Sequence, residues 1–326
     1  MKITPWLRYL IIFSILIAIP LVFRGEYWMN IVILSGVYVI LAAGLNLIVG
    51  VSGQFVVCFA AFYGIGAYSS ALLVIRLGLP FWVSMPISGL LAAIVGAGVG
   101  FVCNRFRGHY VALVTLSFGV IFYEIVLQWL SLTKGPMGLI NIPSPEALPL
   151  GILTLDFKSK IDYYVLVVLL AILCIASMKR LVDSRIGRAL LAIREDDLAA
   201  EVLGINISKY KIKVFLVGAW WAGLAGAFYA HYAGIIVPGT FNFFVSVEVL
   251  VMVIVGGMGS LYGVLISAFI LTILPEFLRS IQFLRWIIYG IILMVMIIFM
   301  PSGIAGAASV IRDRIFRKLS VNKSYK

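Results

Sequence analysis

The chain has 326 residues, of which 63% are hydrophobic and 12% charged, with 25 Lys and Arg against 13 Asp and Glu and a formal net charge of +12. A soluble domain is about half apolar and about a quarter charged, so this composition excludes a water-soluble globule. Apolar runs of about 18 or more residues, each long enough to cross about 30 Å of hydrocarbon, recur along the length, and the strict alternation of an outer-membrane barrel is missing. The reading is an all-α membrane protein, a polytopic helical bundle forming a single transmembrane domain over residues 1–326.

Ten spans are predicted, at residues 6–23, 28–50, 54–76, 81–102, 110–131, 161–178, 211–234, 243–256, 261–278 and 285–300. The opening MKITPWLRYL and the apolar run after it look like a signal peptide, but Ala18, Ile19 and Pro20 present no small-x-small cleavage site. The first run therefore reads as a membrane anchor. Glycines interrupt spans two and three at Gly44, Gly50, Gly53, Gly64 and Gly66, and the junction of spans eight and nine at Gly256, Gly257, Gly259 and Gly263. Two readings stand: close helix packing, because small residues let backbones approach in a bilayer, or broken helices whose freed backbone groups line a polar path. A short internal repeat, IVGVSGQF from Ile48 against IVGGMGSL from Ile254, favours the second.

An unpaired ionisable group at the centre of a span costs about 2.5–3.5 kcal/mol on insertion scales, so polar groups within spans usually face a partner or a pore. On that ground Asn46, Gln54, Tyr68 and Glu248 are candidates for a substrate path, and Glu124 in span five is a similar one. For Glu124 and Glu248 a buried hydrogen bond to a neighbouring helix is the alternative. His231, near the outer end of span seven, reads as interfacial, and Cys58, Cys103 and Cys174 read as small core residues without metal-ligand spacing.

With the N-terminus inside, 18 of the 25 Lys and Arg residues fall on one side of the membrane. Basic residues accumulate in cytoplasmic loops, so both termini and the loop at 179–210 are assigned to the cytoplasm, and the Pro- and Gly-containing loop at 132–160 to the periplasmic side. The same charges are spread along membrane-flanking loops without a compact patch, which suits anionic lipid headgroups and not nucleic acid.

The loop contains GRALLAIREDDLAAEVLGIN, Gly187 to Asn206. Asp196 or Asp197 can cap a helix in which Leu198, Ala199, Val202 and Leu203 share one side, and Gly204 is a natural stop. Leu190 and Ile193 make a second small stripe upstream. The polar face carries acids, which anionic lipid repels, so the apolar side is suited to a groove in another protein.

This segment resembles the cytoplasmic coupling loop of ABC importer permeases, in which two Ala followed four residues later by Gly form the docking helix: here Ala199, Ala200 and Gly204, with Leu198 where Glu is usual. It is more specifically similar to the branched-chain amino-acid importer permeases, in which GRA, AIRED and AA followed by GI occur in that order. GLNLIVGVSGQ, AAFYGIGAY, RFRGHYVALVTLSFG, TKGPMGL, IVGGMGSLYG, LPEFLR and YGIILMVMIIFMPSGIAG resemble the same family in register. The resemblance implies alternating access in a bacterial inner membrane. It also implies two separate ABC ATPase subunits, a second similar permease, a periplasmic binding protein and an amino-acid substrate. The ATPase-coupling residues it implies are Arg194, Glu195, Asp196, Asp197, Ala199, Ala200 and Gly204. Two departures imply a more apolar lining: the stretch Gln54, Phe55, Val56, Val57, Cys58, Phe59 replaces the small polar residue, Gly and His common there, and Val120 stands where an acid is frequent.

No stretch fits the phosphate-cradling pattern GxxxxGK followed by Ser or Thr, so ATP is expected on the partner subunits and no cofactor, metal or catalytic residue on this chain. The main rival is an ion-coupled secondary carrier, which would need a series of intramembrane carboxylates where only Glu124 and Glu248 are evident. A membrane-embedded enzyme would need paired Asp, HExxH, or Ser and His in facing spans, and none has usable spacing.

Overall fold

The computed structural model describes residues 25–106, 108–150, 153–157 and 159–277, with isolated positions between 287 and 306. The predicted span at 6–23 lies outside the described residues, and that at 285–300 is described only at scattered helical positions. Helix α1, Glu26–Asn46, runs directly into one wide π-helical turn, Leu47–Val51. It is followed by α2 (Phe59–Leu77), α3 (Phe81–Cys103), α4 (His109–Gln128) and the short α5 (Leu130–Thr133). Next come α6 (Lys160–Asp183), α7 (Arg185–Glu195), α8 (Asp197–Val202), α9 (Ile207–Ala233), α10 (Phe243–Gly256) and α11 (Leu261–Phe277). Among the described residues seven helices are long and apolar enough to cross a membrane, and α11 is apolar but shorter, against the ten spans expected. The protein is a multi-pass helical membrane protein.

Two boundaries differ from the hydropathy reading for identifiable reasons. Span three begins at Phe59, not at residue 54, because Gly53 adopts φ +72° and takes the backbone out of the helix. The irregular stretch survives because neighbours satisfy it: the Val57 N–H donates to Thr115 Oγ1 (3.2 Å) and the Ala60 N–H to Ser246 Oγ (2.9 Å). The charged loop at 179–210 is mostly helix. Ser184, Asp196 and Asn206 each accept a backbone N–H from the turn that follows, starting α7, α8 and α9 in succession. A further departure from a purely helical chain is an antiparallel hairpin, β1 (Leu148–Leu150) against β2 (Leu153–Leu155), inside the predicted outer loop.

The core forms where α9 lies along α3 and α2. Gly66 packs so closely that a Cβ there would sit 2.1 Å from the Gly223 oxygen, and one on Gly226 would sit 2.0 Å from the Tyr63 oxygen. In a bilayer such backbone approach substitutes for the hydrophobic drive that water supplies elsewhere. Helix α2 runs unbroken through Gly64 and Gly66, so for this pair the structure corrects the broken-helix reading in favour of packing.

Contacts sort to two ends. One gathers the Lys160–Glu26 ion pair (3.4 Å), the Trp82 indole on the Glu146 oxygen (3.1 Å) and the Leu139–Ile236 bridge. The other gathers residues 50–54, 104–106, 108–111, 183–211 and 257–260, joined by Arg194 to Gly50 and Asn104 to Ser208. This is the alternation of loops that the span order requires.

His231, near the end of α9, is 2% exposed, with Nε2 3.0 Å from Ser70 Oγ and Nδ1 2.7 Å from the Pro143 oxygen. It pins the outer loop to α2 and α9. A His231→Ala substitution leaves buried groups short of a partner, which costs about 1–3 kcal/mol. The expected readout is a lower thermal unfolding midpoint in detergent together with faster proteolysis within residues 132–160.

Candidate functional site

The site is assembled from the loop upward. Asp196 is extended, and its Oδ1 accepts the N–H groups of Leu198 (2.8 Å) and Ala199 (3.1 Å), so Asp196 is the cap and Asp197 the first helical residue of α8. The helix closes at Gly204, whose φ of +80° suits a residue without a side chain. Its outward side is apolar and uncovered: Leu198 is 60%, Val202 88% and Leu203 77% exposed. Ala199 shares that exposure, but Ala200 is only 1% exposed and packs inward, so the paired alanines do not form a common surface. Upstream, Leu190 and Ile193 are buried and seat α7 on the body, while Glu195 stays exposed at its end.

Arg194 connects this exposed knuckle to the membrane helices. Its Nη1 donates to the Gly50 oxygen in the π-turn that ends α1 (2.5 Å). The side chain lies in a slot made of backbone: a Cβ on Gly53 would sit 2.9 Å from Arg194 Cγ, and one on Gly259 would sit 3.1 Å from Nη1. Gly53 (φ +72°) and Gly259 (φ +89°) occupy matching positions in the internal repeat, and both need the left-handed conformation that glycine adopts at little cost. The two copies touch here. Asn46, buried in α1, accepts the Gly259 N–H through Oδ1 (2.9 Å), and Gly50 lies against Gly259 so tightly that a Cβ would sit 2.3 Å from its nitrogen. A second tie joins α8 to α9, the Asp197–Lys211 ion pair at 3.1 Å.

The four path candidates divide between two places. Asn46 and Gln54 belong to this joint at the end of α1, where the buried Gln54 donates through Nε2 to Ser52 Oγ (3.1 Å). Tyr68 and Glu248 lie elsewhere. The Tyr68 ring packs on Phe241 (5.6 Å) with its buried hydroxyl unsatisfied, and Glu248 accepts from the Tyr38 hydroxyl (3.2 Å). Tyr63 and Tyr229, which the sequence reading passed over, pack on each other (5.6 Å), and Tyr63 also packs on Phe241 (5.1 Å). Their signal was available: each is a phenol in the interior of an apolar run. Glu124 is neither buried nor bonded across helices. It is exposed on α4, the least covered of the spans among the described residues, and pairs with Gln128 one turn on (2.9 Å). Cys58, Cys103 and Cys174 are buried and unbridged.

A multi-pass helical bundle with an uncovered apolar knuckle tied into the ends of its membrane helices is built as the membrane subunit of a transporter. The chain belongs to the family described as branched-chain amino acid transport system / permease component, whose model matches residues 27–300. It is 35% identical to the high-affinity branched-chain amino acid transport system permease protein LivM of Escherichia coli (strain K12), over 87% of this chain and 71% of that one. It is 26% identical to the permease protein LivH of Salmonella typhimurium (strain LT2), covering 86% of this chain and 95% of LivH. A probable LivM of Methanocaldococcus jannaschii is 23% identical over 71% of this chain and 70% of its own. No solved structure matches the chain.

Proposed function

We propose that this chain is one of two permease subunits in an ATP-driven importer of branched-chain amino acids, lying in a bacterial inner membrane with both termini cytoplasmic. The observation that carries the reading is the joint: α8 offers an apolar surface to an external partner, while Arg194 and Asp197 tie that surface to α1 and α9. Two ABC ATPase subunits are the partners proposed for α8, and ATP binds to them. Closure on nucleotide moves α8, and the movement passes through Arg194 to the π-turn and through Lys211 to α9, biasing the bundle between inward-open and outward-open states.

LivM and LivH are both named as permeases of branched-chain amino acid transport, and this chain aligns with each over most of its length. That supports a second, similar permease beside this one. The exposed Glu124–Gln128 pair on α4 supports placing it against that helix, since an ionised carboxylate facing hydrocarbon is costly and a protein or aqueous neighbour removes the penalty. The substrate path then runs between the two permeases past α4 and the Tyr68–Phe241 aromatic cluster, and a periplasmic binding protein delivers substrate to the face capped by residues 132–160. The test is uptake of labelled leucine into proteoliposomes of the assembled system. Uptake is expected to follow ATP and to ignore collapse of proton and sodium gradients, and the reverse pattern would establish an ion-coupled carrier.

A further inference from the structure

Beside the joint is a cavity of about 540 Å³, open to the end of the bundle that carries α8. Its walls come from the 52–55 turn, the segment entering α4 and the α7–α8 corner. Arg194, Lys211 and Asp197 line it, and each has capacity beyond its present partner: Arg194 uses one of five N–H donors on Gly50, Lys211 one of three on Asp197, and Asp197 keeps a second oxygen. Gln54 stands in the wall behind them, held to Ser52 Oγ through Nε2. Phe55 and Phe106 supply an apolar side, and both are exposed large hydrophobics at the rim.

Positive groups, a carboxylate and two aromatic rings converge on one ligand chemistry. A free carboxylate satisfies Arg194 and Lys211 but not Asp197, and a simple amine does the opposite. A zwitterionic α-amino acid with an apolar side chain satisfies both sets and covers the rings. We propose that this cavity binds such an amino acid from the cytoplasmic side, separately from the transport path, and that the occupant braces the 52–55 turn against the α7–α8 corner. Bridging the two sides of the joint holds it in one arrangement, so accumulated product slows the transporter. The direction of regulation rests on the proposed function above, whereas the binding itself does not.

The experiment uses the assembled transporter in proteoliposomes with its ATP-binding side outward, the binding protein and a saturating constant substrate enclosed in the lumen, and L-leucine titrated outside. ATP hydrolysis is expected to fall at least threefold in a saturable manner. The deaminated analogue 4-methyl-2-oxopentanoate and the decarboxylated analogue 3-methylbutylamine are expected to have no effect at ten times the concentration. Phe55→Ala is expected to raise the half-inhibitory leucine concentration at least fivefold, whatever its own uninhibited rate. ATP-driven transport that continues unslowed across the titration overturns the cavity proposal and leaves the importer reading intact, and equal inhibition by the keto acid overturns the zwitterion assignment. Labelled leucine that binds the complex in dialysis without binding protein, and binds at least fivefold more weakly to the Phe55→Ala complex, in a system where ATP drives no transport, upholds the cavity and removes the importer reading.

Discussion

Replacing Leu198 and Val202 together by Asp is expected to lower ATP-driven uptake at least fiftyfold while the permease still accumulates, folded, in the membrane. The two side chains are 60% and 88% exposed, so their loss removes little internal packing. Burying each against a partner groove contributes about 1.5–3 kcal/mol, and two buried carboxylates without counter-charges oppose docking further. A loss of about 3 kcal/mol corresponds to more than a hundredfold in affinity. Two measurements check this: the quantity of ATPase subunit that co-purifies in mild detergent, and leucine uptake normalised to permease in the membrane. Full uptake by the doubly substituted protein would show that α8 is not where the motor engages, and the proposed route of force would fail with it.

Much of this architecture could be read from residue patterns because a bilayer imposes simple demands. Apolar runs had to be helices, and their order had to put successive loops at two ends, which is how the contacts of Trp82, Glu146, Gly50 and Arg194 are distributed. The Asp196 cap and the exposed stripe of Leu198, Val202 and Leu203 were also legible, since both depend on local spacing alone. What hydropathy could not detect was a chain that leaves the helix while remaining apolar: Phe55, Val56 and Val57 extend the hydrophobic run past the point where Gly53 has already turned the backbone. Glycine carries the same letter in two roles. Gly66 lets α2 meet α9, whereas Gly53 and Gly259 make turns, and only the position of their neighbours separates these uses.

The partners of the polar residues were illegible for a related reason. Low polarity of surroundings marked Asn46 and Glu124 as path candidates and left His231 as interfacial, but the identity of the partner decides what each holds together. Asn46 finds the backbone of Gly259, 213 positions away, His231 finds Pro143 and Ser70, and Glu124 finds only the next turn of its own helix. The internal repeat was the one feature that pointed at such a long-range meeting. Its two copies form opposite sides of the Arg194 slot, which gives a physical reason for a similar glycine pattern at both: each must present bare backbone to one long cation.

That geometry makes Arg194→Ala the substitution with the most diagnostic outcome. Removing the guanidinium deletes a charge-assisted bond to the Gly50 oxygen, about 1.5–3 kcal/mol, but leaves α8 capped by Asp196 and tied to α9 through Lys211. The docking surface therefore persists while its connection to α1 is lost. Read as a coupling free energy, about 2 kcal/mol is about thirtyfold. Uptake is expected to fall at least tenfold with ATP hydrolysis by the assembled complex within twofold of the unsubstituted rate, an uncoupled motor. Arg194→Lys should recover part of the transport, because a single ammonium can reach one carbonyl but cannot span the slot from Gly53 to Gly259 as the planar fork does. If hydrolysis and uptake instead decline in parallel, Arg194 serves assembly and not transmission, and of the two proposed routes of force from α8 only the one through Asp197 and Lys211 is left.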